Sequence, residues 1–102
     1  MANPKHPQVL LIVRFKSSLT AQEPGRRYKE RSPQYQASPG LIQKYYVHDA
    51  STEEWGGLYL WDSQKSLDEF MASELRETIA ETYEFVGSPR IETPAVVDVL
   101  RP

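Results

Sequence analysis

The chain has 102 residues, of which 39% are hydrophobic and 25% are charged, and its 12 basic and 14 acidic residues give a net charge of −2. This length fits one domain, and the ordinary residue mixture argues against disorder. The slightly acidic balance argues against a nucleic-acid or anionic-membrane binder, and no apolar run approaches the ~20 residues that a membrane helix needs. Without cysteine, disulfides, thiolate catalysis and Cys-ligated metals are excluded. We expect one soluble cytoplasmic domain over residues 1–102, with residues 1–7 as a loose arm.

The first half of the chain predicts two strands with a helix between them. Residues 8–16 and residues 41–49 are rich in β-branched and aromatic side chains, which favours strands. Residues 24–38 predict a helix, because Pro24 suits a first helical turn and aromatic side chains follow at helical spacing. Pro33 lies inside that span and is expected to kink or split the helix.

The second half predicts a strand, a helix and a last strand. Residues 55–62 form the strand, and Ser63 is a plausible N-cap for a helix that follows, with a break near Ser73. The Gly-Ser-Pro sequence at residues 87–89 is expected to end that helix, and residues 90–100 form the last strand. The order β-α-β-β-α-β predicts an α+β, ferredoxin-like fold, in which a four-stranded antiparallel sheet carries both helices on one face.

The two faces of this sheet are assigned from the period-two alternation of strand side chains. The set predicted to face the helices is Leu11, Val13, Phe15, Leu41, Tyr45, Val47, Leu58, Leu60, Ala95, Val97 and Val99. The other face then carries Leu10, Ile12, Arg14, Lys16, Ile42, Lys44, Tyr46, His48, Gly57, Tyr59, Trp61, Val96 and Asp98. Since soluble monomers rarely expose so large an apolar patch, a second copy is expected to cover it and enclose a chamber between two sheets. That chamber would be lost if Tyr59 and Trp61 lay beneath the chain's own helices.

Two segments carry a resemblance to a known family. Residues 39–46 read Pro-Gly-Leu-Ile-Gln-Lys-Tyr-Tyr, and residues 56–61 read Gly-Gly-Leu-Tyr-Leu-Trp, where the glycine pair also indicates a bulge or a close backbone approach. Together with residues 73–83, they resemble the YdhR-type putative mono-oxygenase family. The resemblance implies the dimeric α/β-barrel superfamily, which includes the antibiotic-biosynthesis mono-oxygenases, and hence a homodimer formed through the sheet face. It also implies oxidation of a small phenolic or quinol-like aromatic without flavin or metal, in a pocket between the sheet and the helices or between the two sheets of the dimer.

The candidate site is drawn from the sheet face predicted to lie away from the helices. Its candidate catalytic residues are Lys44, Arg14 and His48. Its candidate substrate-binding residues are Tyr46, Tyr59, Trp61, Asp98 and Ile12. A cationic side chain can stabilise a phenolate, a histidine can act as a base near neutral pH, and aromatic rings can stack on a flat substrate.

Each candidate also has a purely structural interpretation. Lys44 could pair with Asp98 or with an acidic residue of a partner, His48 could be a solvated turn residue, and the aromatic residues could pack a dimer interface. Residues 28–31 are interpreted mainly as a solvated helix face. The chain shows no spacing typical of a metal site or a phosphate loop, so we expect no cofactor. Two other functions stay open, namely a non-catalytic dimeric small-molecule-binding module and a haem-binding or haem-degrading protein.

Overall fold

The computed structural model describes residues 6–101 and confirms the predicted order of elements. The elements are β1 (Val9–Ser17), α1 (Glu23–Gln36), β2 (Leu41–Asp49), β3 (Glu54–Trp61), α2 (Gln64–Met71), α3 (Glu74–Glu77), α4 (Ile79–Thr82) and β4 (Phe85–Glu92). The strands form one antiparallel sheet in the order β2-β3-β1-β4, which is the ferredoxin-like arrangement. Most of the predicted arm at residues 1–7 lies outside the described residues. None of the described helices is both long and apolar enough to cross a membrane.

Serine caps divide the second helical region as the sequence predicts. The Ser63 hydroxyl accepts a hydrogen bond from the Ser66 amide at 3.1 Å, which begins α2. The Ser73 hydroxyl accepts from the Arg76 amide at 3.2 Å, so the predicted break near Ser73 is confirmed as the start of α3. Pro33 does not split α1, which continues to Gln36, although the proline cannot donate the hydrogen bond that an amide at this position would give to the Lys29 carbonyl.

The last strand lies earlier in the chain than predicted. β4 begins at Phe85, and residues 87–89 lie within it rather than ending a helix. Three β4 residues there stand opposite one residue of β1, between the Lys16–Val86 and Arg14–Arg90 pairs, which makes a bulge. The prediction was wrong because a positive-φ glycine and a proline without an amide suit a bulge as well as a helix terminus.

The segment after β4 contains no further strand among the described residues. It keeps one bridge to β1, between Val9 and Ala95. Val97 was predicted to lie in the core, but it is 97% exposed. Asp98 was placed on a strand, but it is exposed in irregular chain, where its carboxylate accepts from the Val99 amide at 2.8 Å.

The core lies between the sheet and the helices. Its buried side chains are Val9, Leu11, Val13, Phe15, Tyr28, Tyr35, Tyr59, Trp61, Leu67, Phe70, Ile79 and Tyr83. Tyr59 and Trp61, which are 3% and 0% exposed, therefore lie beneath the chain's own helices. Their predicted position on the far face is wrong, and the chamber predicted between two sheets is lost with it.

The same parity error affects β2. Lys44 pairs with Tyr59, and Tyr59 pairs with Leu11, so all three stand on the helix-facing side, as do Tyr46 and His48. Conversely Tyr45, Val47, Leu58 and Leu60 lie on the other face and not in the core. Alternation alone could not decide which set of residues faces the helices, because both faces of these strands carry large apolar side chains.

The sheet face away from the helices is here called the open face. It is apolar as predicted, but the residues that β2 and β3 contribute to it are not the predicted ones. Its apolar members are Leu10, Ile12, Tyr45, Val47, Leu58, Leu60 and Val86. Tyr45 is 54% exposed and Val86 is 55% exposed. The physical reason for expecting a covering partner therefore remains.

Candidate functional site

A glycine pair lets the Lys44 side chain reach the interior. A methyl group added at Gly57 would lie 3.2 Å from Lys44 Cε and 2.9 Å from Tyr59 Cε1, so the bare backbone makes room for both side chains. One added at Gly56 would lie 2.1 Å from the Val13 carbonyl oxygen. The close backbone approach predicted for this glycine pair is thereby confirmed.

The amine of Lys44 lies against three tyrosine rings. Its Nζ is 3.3 Å from the ring centroid of Tyr35 in α1, 4.3 Å from that of Tyr59 and 4.4 Å from that of Tyr46. Within residues 6–101, Lys44 forms no ion pair with a carboxylate, and Asp98 does not approach it. The ring faces therefore take the place of a carboxylate partner and offset part of the hydration that the buried ammonium loses.

Burial dominates the electrostatics of this amine. Burial, with a smaller contribution from the nearby charge of Arg31, lowers the pKa of Lys44 from 10.5 to about 6. The three ring faces oppose this fall, since each attracts a cation by ~0.5–2 kcal/mol. They offset only part of the cost of taking an ammonium out of water. Lys44 is thus far easier to deprotonate than an exposed lysine.

These three tyrosines, with two more that pack beside them, form what we call the tyrosine cluster: Tyr28, Tyr35, Tyr46, Tyr59 and Tyr83. The Tyr28 ring stacks on Tyr46 with centroids 4.1 Å apart and lies 5.1 Å from the Tyr83 ring. Burial raises the pKa of every hydroxyl in the cluster, so all stay protonated near neutral pH. The hydroxyls of Tyr28 and Tyr83 are buried and find no hydrogen-bond partner among the described residues.

Arg31 closes the cluster from the helix side. Its guanidinium donates to the Leu75 carbonyl at 2.8 Å and to Thr78 Oγ1 at 3.0 Å, and it also donates to Thr82 Oγ1. Its Cζ lies 6.0 Å from the ring centroids of two cluster members, Tyr35 and Tyr83. These bonds tie α1 to the α3–α4 region and hold a positive charge near Lys44.

The sequence interpretation missed both Arg31 and Tyr28, which fall in the run taken as a solvated helix face. Tyr28 is buried and Arg31 is half-buried. The signal was present, since Tyr28, Arg31 and Tyr35 follow at intervals of three and four residues and share one helical face. A charged residue in the middle of that stripe concealed it.

Two cavities lie between the sheet and the helices. The apolar cavity has a volume of about 250 Å³ and is lined by Leu11, Val13, Phe70, Met71, Arg76, Glu77, Ile79, Ala80, Phe85, Pro89 and Ile91. The tyrosine cavity measures only about 10 Å³ and is lined by Val13, Phe15, Tyr28, Lys44, Tyr46, Gly56, Gly57, Tyr59, Ile79 and Tyr83. Val13 and Ile79 line both cavities, so these two side chains stand at their boundary.

Of the predicted site residues, the structure brings together Lys44, Tyr46 and Tyr59, which all line the tyrosine cavity. Trp61 lies deeper in the core, with its ring centroid 5.1 Å from that of Phe70, and lines neither of these cavities. His48 is exposed at the end of β2, where its ring lies 4.2 Å from that of Trp55.

The remaining predicted residues do not join this group. Arg14 and Ile12 lie on the open face, on the other side of the sheet from Lys44. Asp98 lies in the terminal segment described above. In the described part of the chain, no group of three or more acidic, histidine or cysteine side chains is arranged to hold a metal ion.

Comparisons with known structures show the same fold. A protein of unknown function from Nitrosomonas europaea aligns with a TM-score of 0.76 and 13% identity, covering 96% of this chain and 97% of that one. A putative antibiotic biosynthesis monooxygenase from Caulobacter crescentus has a TM-score of 0.74 and 15% identity, covering 91% and 92%. SnoaB, a cofactor-independent oxygenase from Streptomyces nogalater, has a TM-score of 0.74 and 10% identity, covering 94% and 99%.

Sequence comparison identifies the family. No curated protein matches the chain. A family model does match, over residues 10–92, and its description is "Putative mono-oxygenase ydhR". The match takes in the residues of the tyrosine cluster and all four strands except Val9 at the start of β1. The chain therefore belongs to the ydhR family.

Proposed function

We propose that this chain is a mono-oxygenase that acts on a small phenolic or quinol-like aromatic bound between its sheet and its helices. The family supports the reaction class, and so does the fold shared with a cofactor-independent oxygenase. The observation that carries the proposal is the apolar cavity of about 250 Å³ whose wall also bounds the tyrosine cavity. It is smaller than the ~300 Å³ at which pockets for drug-sized ligands begin, which favours a compact ring.

The proposed reaction balances without a cofactor. A phenol plus one dioxygen gives a quinone plus one water, so one oxygen atom enters the ring and the other leaves with the two hydrogens that the phenol loses. The substrate itself supplies the electrons, because its deprotonated form is electron-rich enough to reduce dioxygen directly. The protein must bind the ring, stabilise the anion and exclude water.

We assign the stabilisation of that anion to Lys44. It is the predicted catalytic residue that lines the tyrosine cavity, whereas Arg14 and His48 do not. Tyr46 and Tyr59 flank its amine and would keep water away from it. The roles predicted for Trp61, Ile12 and Asp98 gain no support from their positions.

We also propose a cytoplasmic homodimer formed through the open face. That face carries a contiguous set of leucine, isoleucine and tyrosine side chains across three strands, in the registered row Ile12–Leu58–Tyr45. Val97 and Leu100, which are 97% and 90% exposed, add apolar surface that a second copy could cover. Exposed apolar area of this kind marks an interaction surface in soluble proteins. Sedimentation over a range of concentrations tests this, and a stable single chain throughout would contradict it.

Oxygen uptake tests the reaction. We expect the purified protein to consume dioxygen with some members of a panel of phenols and hydroquinones, converting a phenol to a quinone and a hydroquinone to a hydroxyquinone, each with release of one water. Lys44→Met should lower the rate at least tenfold, because it removes the group that stabilises the anion, while Lys65→Met on the exposed side of α2 should leave it unchanged. Binding of phenols without any uptake would instead favour a non-catalytic binding module. A Soret band after addition of haem would favour the haem-binding alternative.

A further inference from the structure

We propose that the tyrosine cavity takes a single anionic oxygen atom of the ligand, held by Lys44 and by the hydroxyls of Tyr28 and Tyr83. The protein would then select aromatics with one isolated ring hydroxyl at the buried end, and would bind them as phenolates. This inference rests on the proposed function in placing the aromatic ring in the apolar cavity. It adds a binding role for Tyr28 and Tyr83 and a rule for substrate selection.

The first support is an excess of donors. The hydroxyls of Tyr28 and Tyr83 are buried without partners among the described residues, and both residues line the tyrosine cavity with Lys44. Buried polar groups in proteins almost always have a partner, and of the six buried side-chain atoms left unpaired in the described residues only these two belong to residues that line this cavity. None of the residues lining this cavity is acidic. A ligand oxygen can accept from both hydroxyls, and once its proton has passed to the Lys44 amine its charge is balanced by the ammonium.

The second support is size. The cavity volume of about 10 Å³ matches the ~10–15 Å³ that one water molecule requires. One oxygen atom fits such a space, whereas the two oxygens of a carboxylate or of a catechol do not. A benzene ring does not fit either, so the ring must lie outside it.

The third support is the shared wall. Val13 and Ile79 line both cavities, so the two spaces adjoin, and a ring bound in the apolar cavity reaches Lys44 with its oxygen where these two side chains move apart. The apolar lining there offers no competing charge except Arg76 and Glu77. One ligand with an apolar ring and one oxygen therefore suits both spaces together.

The surroundings of Lys44 stabilise both halves of the ion pair that forms. On binding, the phenol oxygen gives its proton to Lys44 Nζ, which leaves a phenolate beside an ammonium and needs no other reactant. The tyrosine ring faces around Nζ attract the ammonium, at distances of 3.3 Å for Tyr35 and 4.3 Å for Tyr59. The unpaired hydroxyls donate to the phenolate, and such bonds to a charged acceptor are strong.

The test uses 4-nitrophenol, whose phenol and phenolate forms absorb at different wavelengths. The full-length protein is titrated with it about one pH unit below the pKa of the free compound. We expect the bound compound to show the phenolate spectrum. Tyr28→Phe and Tyr83→Phe should each weaken binding about 10-fold, as expected for losing a hydrogen bond to a charged group. Tyr45→Phe, which removes a hydroxyl from the open face, should leave binding unchanged.

Two further measurements complete the test. Lys44→Met should abolish the phenolate spectrum, and 4-nitrobenzoate, with a two-oxygen anion on the same ring, should bind at least 10-fold more weakly. The inference is overturned if the bound compound stays a neutral phenol, if both Tyr→Phe variants bind normally, or if 4-nitrobenzoate binds equally well. A phenolate spectrum without oxygen uptake from any phenol would refute the proposed reaction and leave this site intact. Oxygen uptake without the phenolate spectrum would refute the single-oxygen site and leave the proposed reaction intact.

Discussion

Replacing Lys44 with methionine should change how the stability of the protein depends on pH. The pKa of Lys44 falls from 10.5 to about 6 on folding, chiefly because burial strips water from the ammonium. Between these two values the unfolded chain binds a proton that the folded chain does not. The free energy of unfolding therefore rises as the pH increases across that window. This gain in stability disappears as the pH falls toward the folded-state pKa.

The size of the effect follows from the proton count. One full proton corresponds to about 1.4 kcal/mol per pH unit, so raising the pH by about 2 units from neutrality adds up to about 2.7 kcal/mol. Lys44→Met keeps most of the side-chain volume and removes the titrating group, so that slope should disappear. Near neutral pH the variant should also be more stable by a few kcal/mol, because it no longer forces an amine out of water.

Urea denaturation at several pH values and one protein concentration measures both quantities. Lys65→Met, on the exposed side of α2, is the matched control and should keep the wild-type slope. The difference in slope between wild type and Lys44→Met isolates this residue from every other titrating group. Equal slopes would show that the amine stays protonated on folding, and the argument from burial would be refuted.

Three more substitutions probe the remaining structural claims. Gly57→Ala places a methyl group 3.2 Å from Lys44 Cε and should lower the free energy of unfolding by ~1–3 kcal/mol. It should also weaken nitrophenol binding, and unchanged binding would contradict the proposed path of the Lys44 side chain. Arg31→Met removes bonds between α1 and the α3–α4 region and should lower stability by ~2–4 kcal/mol, whereas Arg26→Met on the exposed side of α1 should cost under ~1 kcal/mol. Equal losses would argue against this tie. Leu58→Asp puts a charge on the open face and should yield a folded monomer in sedimentation, while an unchanged oligomer would place the interface elsewhere.

Much of the fold could be predicted because local chemistry specifies it. The bounds of β2 were predicted to the residue, and serine side chains marked the starts of α2 and α3. The position of β4 could not be predicted from local chemistry, since Gly87 and Pro89 suit a bulge and a helix end equally well. The candidate site was predicted in part, since Lys44 and Tyr59 do lie together but on the opposite side of the sheet.

The amino-acid sequence by itself determined the order of elements, the family and the presence of more apolar sheet surface than one helical layer can cover. Only the tertiary structure decided which side of β2 and β3 meets the helices. The physical reason is that alternation along a strand does not say which face is buried when both faces are apolar. Packing between distant segments then decides which face meets the helices. Here Tyr35 of α1 provides an aromatic face for the Lys44 amine, together with Tyr46 and Tyr59 of the sheet, and this makes an inward-facing lysine tolerable.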